Sequence, residues 1–105
     1  MIRARVSKDQ EGNYVSFSCK GHAEYSDKGN DIVCAAVSIL VINTANAIEK
    51  LTDNRILGTQ DEDIKMEFPE GLDEKGVLLM DAMILGLKQI AEKYFSNVDL
   101  IIEEV

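Results

Sequence analysis

Ile32-Val33-Cys34-Ala35-Ala36-Val37-Ser38-Ile39-Leu40-Val41-Ile42 is the stretch around which the rest of this 105-residue chain is arranged. Its apolar side chains fall at every phase of a helix, and from Asn43 to Leu51 the pattern becomes amphipathic. A helix that is apolar all round is buried on most of its faces. The stretch therefore predicts a central helix from Ile32 to about Leu51, packed against a sheet and against something else. Asp31 reads as its N-cap, and Thr52, Asp53 and Asn54 end it.

Strand patterns lie on both sides of this helix. Residues 2–7 and 14–20 alternate apolar and polar side chains, as half-buried strands do. Ile2, Ala4 and Val6 share one face of the first strand, and Val15, Phe17 and Cys19 are expected to share one face of the second. The turn-forming residues from Lys8 to Asn13 between them predict a hairpin. After the central helix, Ile64, Met66 and Phe68 alternate with Lys65 and Glu67, and a short strand near Arg55 to Gly58 precedes them. Pro69-Glu70-Gly71 is a turn. Val77, Met80, Ile84, Leu87, Ala91 and Tyr94 recur at three- and four-residue spacing, which makes a second helix from Asp73 to about Phe95. Val98 to Ile102 form the last strand. The predicted class is α+β: a β-β-α-β-α-β sandwich, with one extra short strand, in which two helices pack on one mixed sheet.

Length and composition set bounds on function. One hundred and five residues predict one domain with one core. The formal charge of −8 argues against direct nucleic-acid binding, because phosphate contacts need a basic patch. Acidic residues gather at Asp61, Glu62, Asp63, Glu67 and Glu70, either as a solvated surface or as an attraction for a cationic partner. With one histidine and no Cys-x-x-Cys pair, the donor set for a metal is missing, and no cofactor is expected. The run Ile32–Ile42 is too short to span a bilayer. The N-terminus alternates like a strand and does not read as a signal peptide, so the expected compartment is the cytoplasm, away from any membrane.

Chemistry concentrates between Gly21 and Ser38. His22 is the single histidine, and Cys34 sits near a predicted helix start, where the dipole favours a thiolate. The polar loop between them carries Ala23, Tyr25, Ser26, Gly29 and Asn30, with Gly21 and Gly29 as hinges over a bound substrate. Ser38 follows Cys34 by one helical turn and lies on the same face. First-turn amides are candidates for an oxyanion hole. Taken alone, these residues leave three readings open: a cysteine–histidine hydrolase, a binding module for a basic protein, and a thiol redox sensor in which Cys34 bonds to Cys19.

The triplet Gly21-His22-Ala23, followed by Asp31-Ile32-Val33-Cys34-Ala35-Ala36-Val37-Ser38, resembles the signature of the ribosomal-processing cysteine proteases. The likeness extends through Asn46-Ala47-Ile48 and Met83-Ile84-Leu85-Gly86-Leu87, and so covers nearly the whole chain. It implies a thiol endopeptidase that removes the N-terminal extension of a basic large-subunit ribosomal protein, with Cys34 as nucleophile and His22 as its base. By the same resemblance Asp31 and Ser38 are assisting residues, the loop from Gly21 to Asn30 is a mobile substrate loop, and the protein is a homodimer. The family's cleaved extension ends in hydrophobic or aromatic residues, which implies an apolar pocket walled by Val37 and Tyr25. Ser26 departs from the glycine that relatives often carry at its position.

Overall fold

The computed structural model describes residues 1–21, 28–60 and 63–105, with the side chains of residues 28–31 and 60 outside that description. The elements run β1 (Ile2–Lys8), β2 (Tyr14–Lys20), α1 (Lys28–Leu51), β3 (Leu57–Gln60), β4 (Ile64–Glu67), α2 (Glu74–Lys93) and β5 (Val98–Glu104). The strands form one sheet in the order β3-β4-β2-β1-β5. β1 pairs with β5 in parallel and with β2 antiparallel, and β4 pairs antiparallel with both β2 and β3. This is the expected α+β arrangement of two helices on one mixed sheet, and the extra short strand is β3.

One face of the sheet carries the core. Ile2, Ala4 and Val6 of β1, Phe17 and Cys19 of β2, Ile64 and Met66 of β4 and Val98 of β5 are buried there. α1 lays Val33, Val37, Val41, Thr44 and Ile48 onto this surface, a stripe at four-, four-, three- and four-residue spacing. α2 contributes Met80, Met83, Ile84 and Leu87. The helices meet where Leu40 lies over Gly86, so close that a Cβ at Gly86 would sit 2.8 Å from Leu40 Cδ2. Tyr14 of β2 donates its hydroxyl proton to Asp81 of α2, tying the hairpin to the second helix.

Local chemistry explains the connections. In the β1–β2 hairpin the Asp9 carboxylate accepts from the backbone N–H of Glu11 and of Asn13, each at 2.9 Å. Gly12 there takes a positive φ of 84°, open to glycine without strain. Asp73 caps α2 by accepting from Gly76 N–H at 2.9 Å, while Asn54 Nδ2 donates to the same carboxylate at 2.7 Å. Those two bonds, Asn54 first, hold the Asp73 carboxyl below its ordinary range.

Three expectations are corrected. Val15 does not share a face with Phe17 and Cys19. Ser7 pairs with Ser16 but Lys8 pairs with Tyr14, so Val15 is the extra residue of a β-bulge. The bulge shifts the alternation, burying Tyr14 and leaving Val15 38% exposed. Helix α1 begins at Lys28, so Asp31 lies inside its first turn and is not its N-cap. An acidic residue suits the positive end of a helix as well as it suits a cap, and the sequence alone does not separate the two. The central helix is also less enclosed than its composition implied. Its outward side leaves Ile32 66% and Ile39 70% exposed, and α2 exposes Leu78 and Leu85 on its own outward side. Ile32–Ile42 alone is shorter than a membrane span, but as one helix Ile32–Leu51 reaches the length and mean hydropathy (1.8) of a membrane-crossing segment. Its valine stripe is nonetheless packed on the sheet, as in a core helix.

The bulge has a measurable consequence. Phe17→Ala should destabilise the protein by about 3–5 kcal/mol, because it empties a fully buried site. Val15→Ala should cost under about 1 kcal/mol. Urea unfolding followed by circular dichroism measures both, and equal losses would place Val15 in the core.

Candidate active site

Cys34 is the seventh residue of α1 and stands beside the valine stripe, half-buried against the core. Ser38, one turn later, lies on the same flank and is also half-buried. Across from this flank, Cys19 of β2 is fully buried. Burial pushes the Cys19 thiol up to about 12, and the neighbouring Cys34 and Asp63 add to the rise by opposing a further negative charge. The two cysteines form no disulfide. One end of the sheet, where Cys19 pairs with Ile64, thus gathers two thiols and a carboxylate beside the central helix.

The geometry changes the argument for thiolate formation. The dipole of a helix acts mainly within its first turn, and Cys34 lies in the second. The amides of Val33 and Cys34 fall within the i to i−4 ladder of α1, so they do not act as the free first-turn donors expected from the sequence. A thiol in this position would need a neighbouring base for its activation. His22, Ala23, Tyr25 and Ser26 lie outside the described residues, and so does the side chain of Asp31. Gly21, which ends β2, takes a positive φ of 85° that redirects the chain after the strand. Gly29 and Asn30, expected in the loop, belong to the first turn of α1. Val37 is fully buried beneath the helix and walls no open pocket, because its phase is that of the core stripe.

In the sequence Asp63 is only one member of an acidic run, and the cavity further along α1 leaves no mark there. The cavity, about 360 Å³, opens between α1 and the β3–β4 pair and is lined by Ala45, Asn46, Glu49, Ile56, Gly58 and Met66 among others. Cys19 was legible as a buried residue from its phase with Phe17. Its place beside Cys34 depends on strand order, which no local pattern carries. Among the described residues no group of three or more His, Cys, Asp or Glu is placed to hold a metal ion.

A thiol half-exposed on the central helix of an α+β sandwich, with its activation left to a neighbouring base, defines a candidate cysteine hydrolase. Comparison with known proteins identifies the kind. Residues 1–99 match the family model described as cysteine protease Prp. The chain is 35% identical over 104 residues to the ribosomal processing cysteine protease Prp of Bacillus subtilis, covering 92% of this chain and 93% of that protein. It is 28% identical to the protease of the same name from Staphylococcus aureus, covering 95% and 97%. The crystal structure of the S. aureus ribosomal processing protease Prp with a substrate peptide superposes with a TM-score of 0.93 at 26% identity, covering 98% of this chain and 100% of that one. A Streptococcus mutans protein superposes at 0.91 with 35% identity, covering 100% and 99%. The chain belongs to the cysteine protease Prp family, and it is a cysteine protease of the ribosomal-processing kind.

The two thiols should differ sharply in reactivity. Brief iodoacetamide treatment of the folded protein near pH 7.5 should alkylate Cys34 and leave Cys19 unmodified, because Cys19 is both buried and protonated. Peptide mass spectrometry reads the sites, and labelling of Cys19 at a comparable rate would contradict this placement.

Proposed function

We propose that this chain is an endopeptidase that removes a short N-terminal extension from a basic large-subunit ribosomal protein, with Cys34 as nucleophile and His22 as base and acid. The observation that carries this reading is the 35% identity, over nearly the full length of both chains, to a ribosomal processing cysteine protease. The position of Cys34 on an otherwise apolar helix supports it, since a half-buried thiol on a rigid element can be presented to a peptide without rearranging the core.

In this scheme His22 takes the Cys34 proton, and Sγ attacks the scissile carbonyl carbon. Collapse of the tetrahedral adduct breaks the C–N bond, and the imidazolium returns its proton to the leaving amine. Water then attacks the thioester, releasing the carboxylic acid and restoring the thiol. Asp31 and Ser38 are the assisting residues, Ser38 on the same flank of α1 as the thiol, and the segment between Gly21 and α1 is the substrate loop. The low overall charge of −8 suits a basic protein substrate. The work is done in the cytoplasm, where such a substrate is assembled, by one domain spanning residues 1–105.

The active form is a homodimer. Ile32 and Ile39 of α1 and Leu78 and Leu85 of α2 are each at least 60% exposed on the outward side of the helix layer, an apolar surface of the kind that pairs with a second copy.

Mass spectrometry of a peptide spanning the extension tests the chemistry. The wild type should cut one bond, Cys34→Ala should lower kcat at least about 10³-fold while keeping peptide binding, and His22→Ala should lower it about 10²–10⁴-fold. Binding without cleavage by the wild type would instead indicate a binding module. Light scattering tests the assembly. The native protein should run near twice 11.7 kDa and the Ile39→Glu, Leu85→Glu double variant near 11.7 kDa. Equal masses would overturn the dimer.

A further inference from the structure

We infer that the groove between α1 and edge strand β3 is a substrate subsite that takes an extended peptide segment about five to seven residues from the scissile bond and reads a cationic side chain there through Glu49. The inference rests on the reading of Cys34 as the nucleophile.

Helical phase connects the two places. Cys34, Ser38, Ala45 and Glu49 are separated by four, seven and four residues, and at 3.6 residues per turn all four fall on one flank of α1. That flank faces β4 and β3. It meets Cys19 and Asp63 at the Cys34 end and Gly58, Ile56 and Met66 at the Ala45–Glu49 end. The groove and the thiol therefore lie on the same flank of α1. At 1.5 Å per residue, Ala45 lies about 16 Å along the helix from Cys34 and Glu49 about 22 Å. A peptide in β conformation covers those distances in about five and seven residues.

The groove is shaped for an extended chain. β3 is an edge strand, and among the described residues no strand pairs with its outer side, where a further strand can add. Its floor is kept low by two small residues, Ala45 on the helix and Gly58 on β3. Gly58 is fixed by packing, since a Cβ there would come 2.6 Å from the Lys65 carbonyl oxygen. Ile56 and Met66 give an apolar base, and Asn46 and Thr59 offer hydrogen-bonding side chains at the rim.

Charge selects the occupant. Of the charged lining residues, Lys65 alternates with buried Ile64 and Met66, so its side chain leaves on the opposite face of the sheet and only its main chain contributes. Glu49 is the remaining charge, exposed, with no ion pair among the described residues. A lysine or arginine of an extended substrate passing Ala45 meets this carboxylate. The subsite thereby adds selectivity beyond the residues flanking the cut bond, as binding energy remote from the chemistry can.

The test uses the purified protein and two synthetic peptides spanning the cleavage site. The long one carries eight residues on each side of the cut bond with a lysine at the fifth to seventh position on both sides, and the short one stops four residues out. Glu49→Lys and Asn46→Trp alter exposed positions and leave the core intact. For the long peptide, Glu49→Lys should raise KM about fivefold with kcat unchanged, and Asn46→Trp should also raise KM. For the short peptide neither variant should differ from wild type. An unchanged KM on the long peptide, or an equal change on both, would overturn the subsite while wild-type cleavage upholds the peptidase. Failure of the wild type to cut either peptide would overturn both.

Discussion

The fold depends on one packing constraint, the seating of the α1 valine stripe on a floor of small and medium side chains. Val33, Val37, Val41 and Ile48 are all but sealed from solvent, and beneath the helix layer the sheet offers Ala4, Val6, Phe17, Cys19 and Met66. Each fully buried side chain of this kind contributes about 1.5–3 kcal/mol. Because the stripe fills one side of α1, the remaining sides are free for other tasks. One flank meets α2 at Leu40 and Gly86, the opposite flank carries Cys34, Ser38 and Glu49, and the outward side holds Ile32 and Ile39. Core, thiol, groove and outer apolar surface are thus four faces of a single helix.

This division explains how a cysteine protease can be built on so short a chain. Cys34, the proposed nucleophile, would need a rotamer fixed to within a fraction of an ångström, and packing of a rigid helix provides that more reliably than a loop does. Cys34 takes its position from the neighbouring Val33 and Val37. Cys19, buried opposite, is held protonated by the same sheet, so that two cysteines a short distance apart differ in accessibility. In the proposed mechanism specificity falls to the flank of α1 beside edge strand β3.

Much of this was legible in the sequence, because periodicity carries it. The alternation in β1 and β4, the turn residues around Gly12 and Pro69, and the three- and four-residue spacing of α2 each reflect a local rule. Misreadings came where two local rules compete. Asp31 satisfies both a cap and a first-turn position, and the helix takes the second. Val15 keeps the alternation on paper, yet a bulge moves it to the surface and substitutes Tyr14, whose hydroxyl needs Asp81 sixty-seven residues away. The closeness of Cys19 and Cys34, and the groove at Ala45 and Gly58, follow from strand order, a long-range property. The resemblance around Gly21-His22-Ala23 and Asp31 to Ser38 reached the family, which spacing alone left among three readings.

In the proposed mechanism α1 presents Cys34, and no other group, to a substrate carbonyl. The most direct measurement is affinity labelling with a peptide that ends at the scissile residue in a chloromethyl ketone, followed by intact-mass and peptide mapping. A single stoichiometric adduct on the Cys34 sulfur, blocked by excess substrate peptide, is the predicted result. An adduct on Cys19 or elsewhere, or none while the enzyme continues to cleave, would contradict the account.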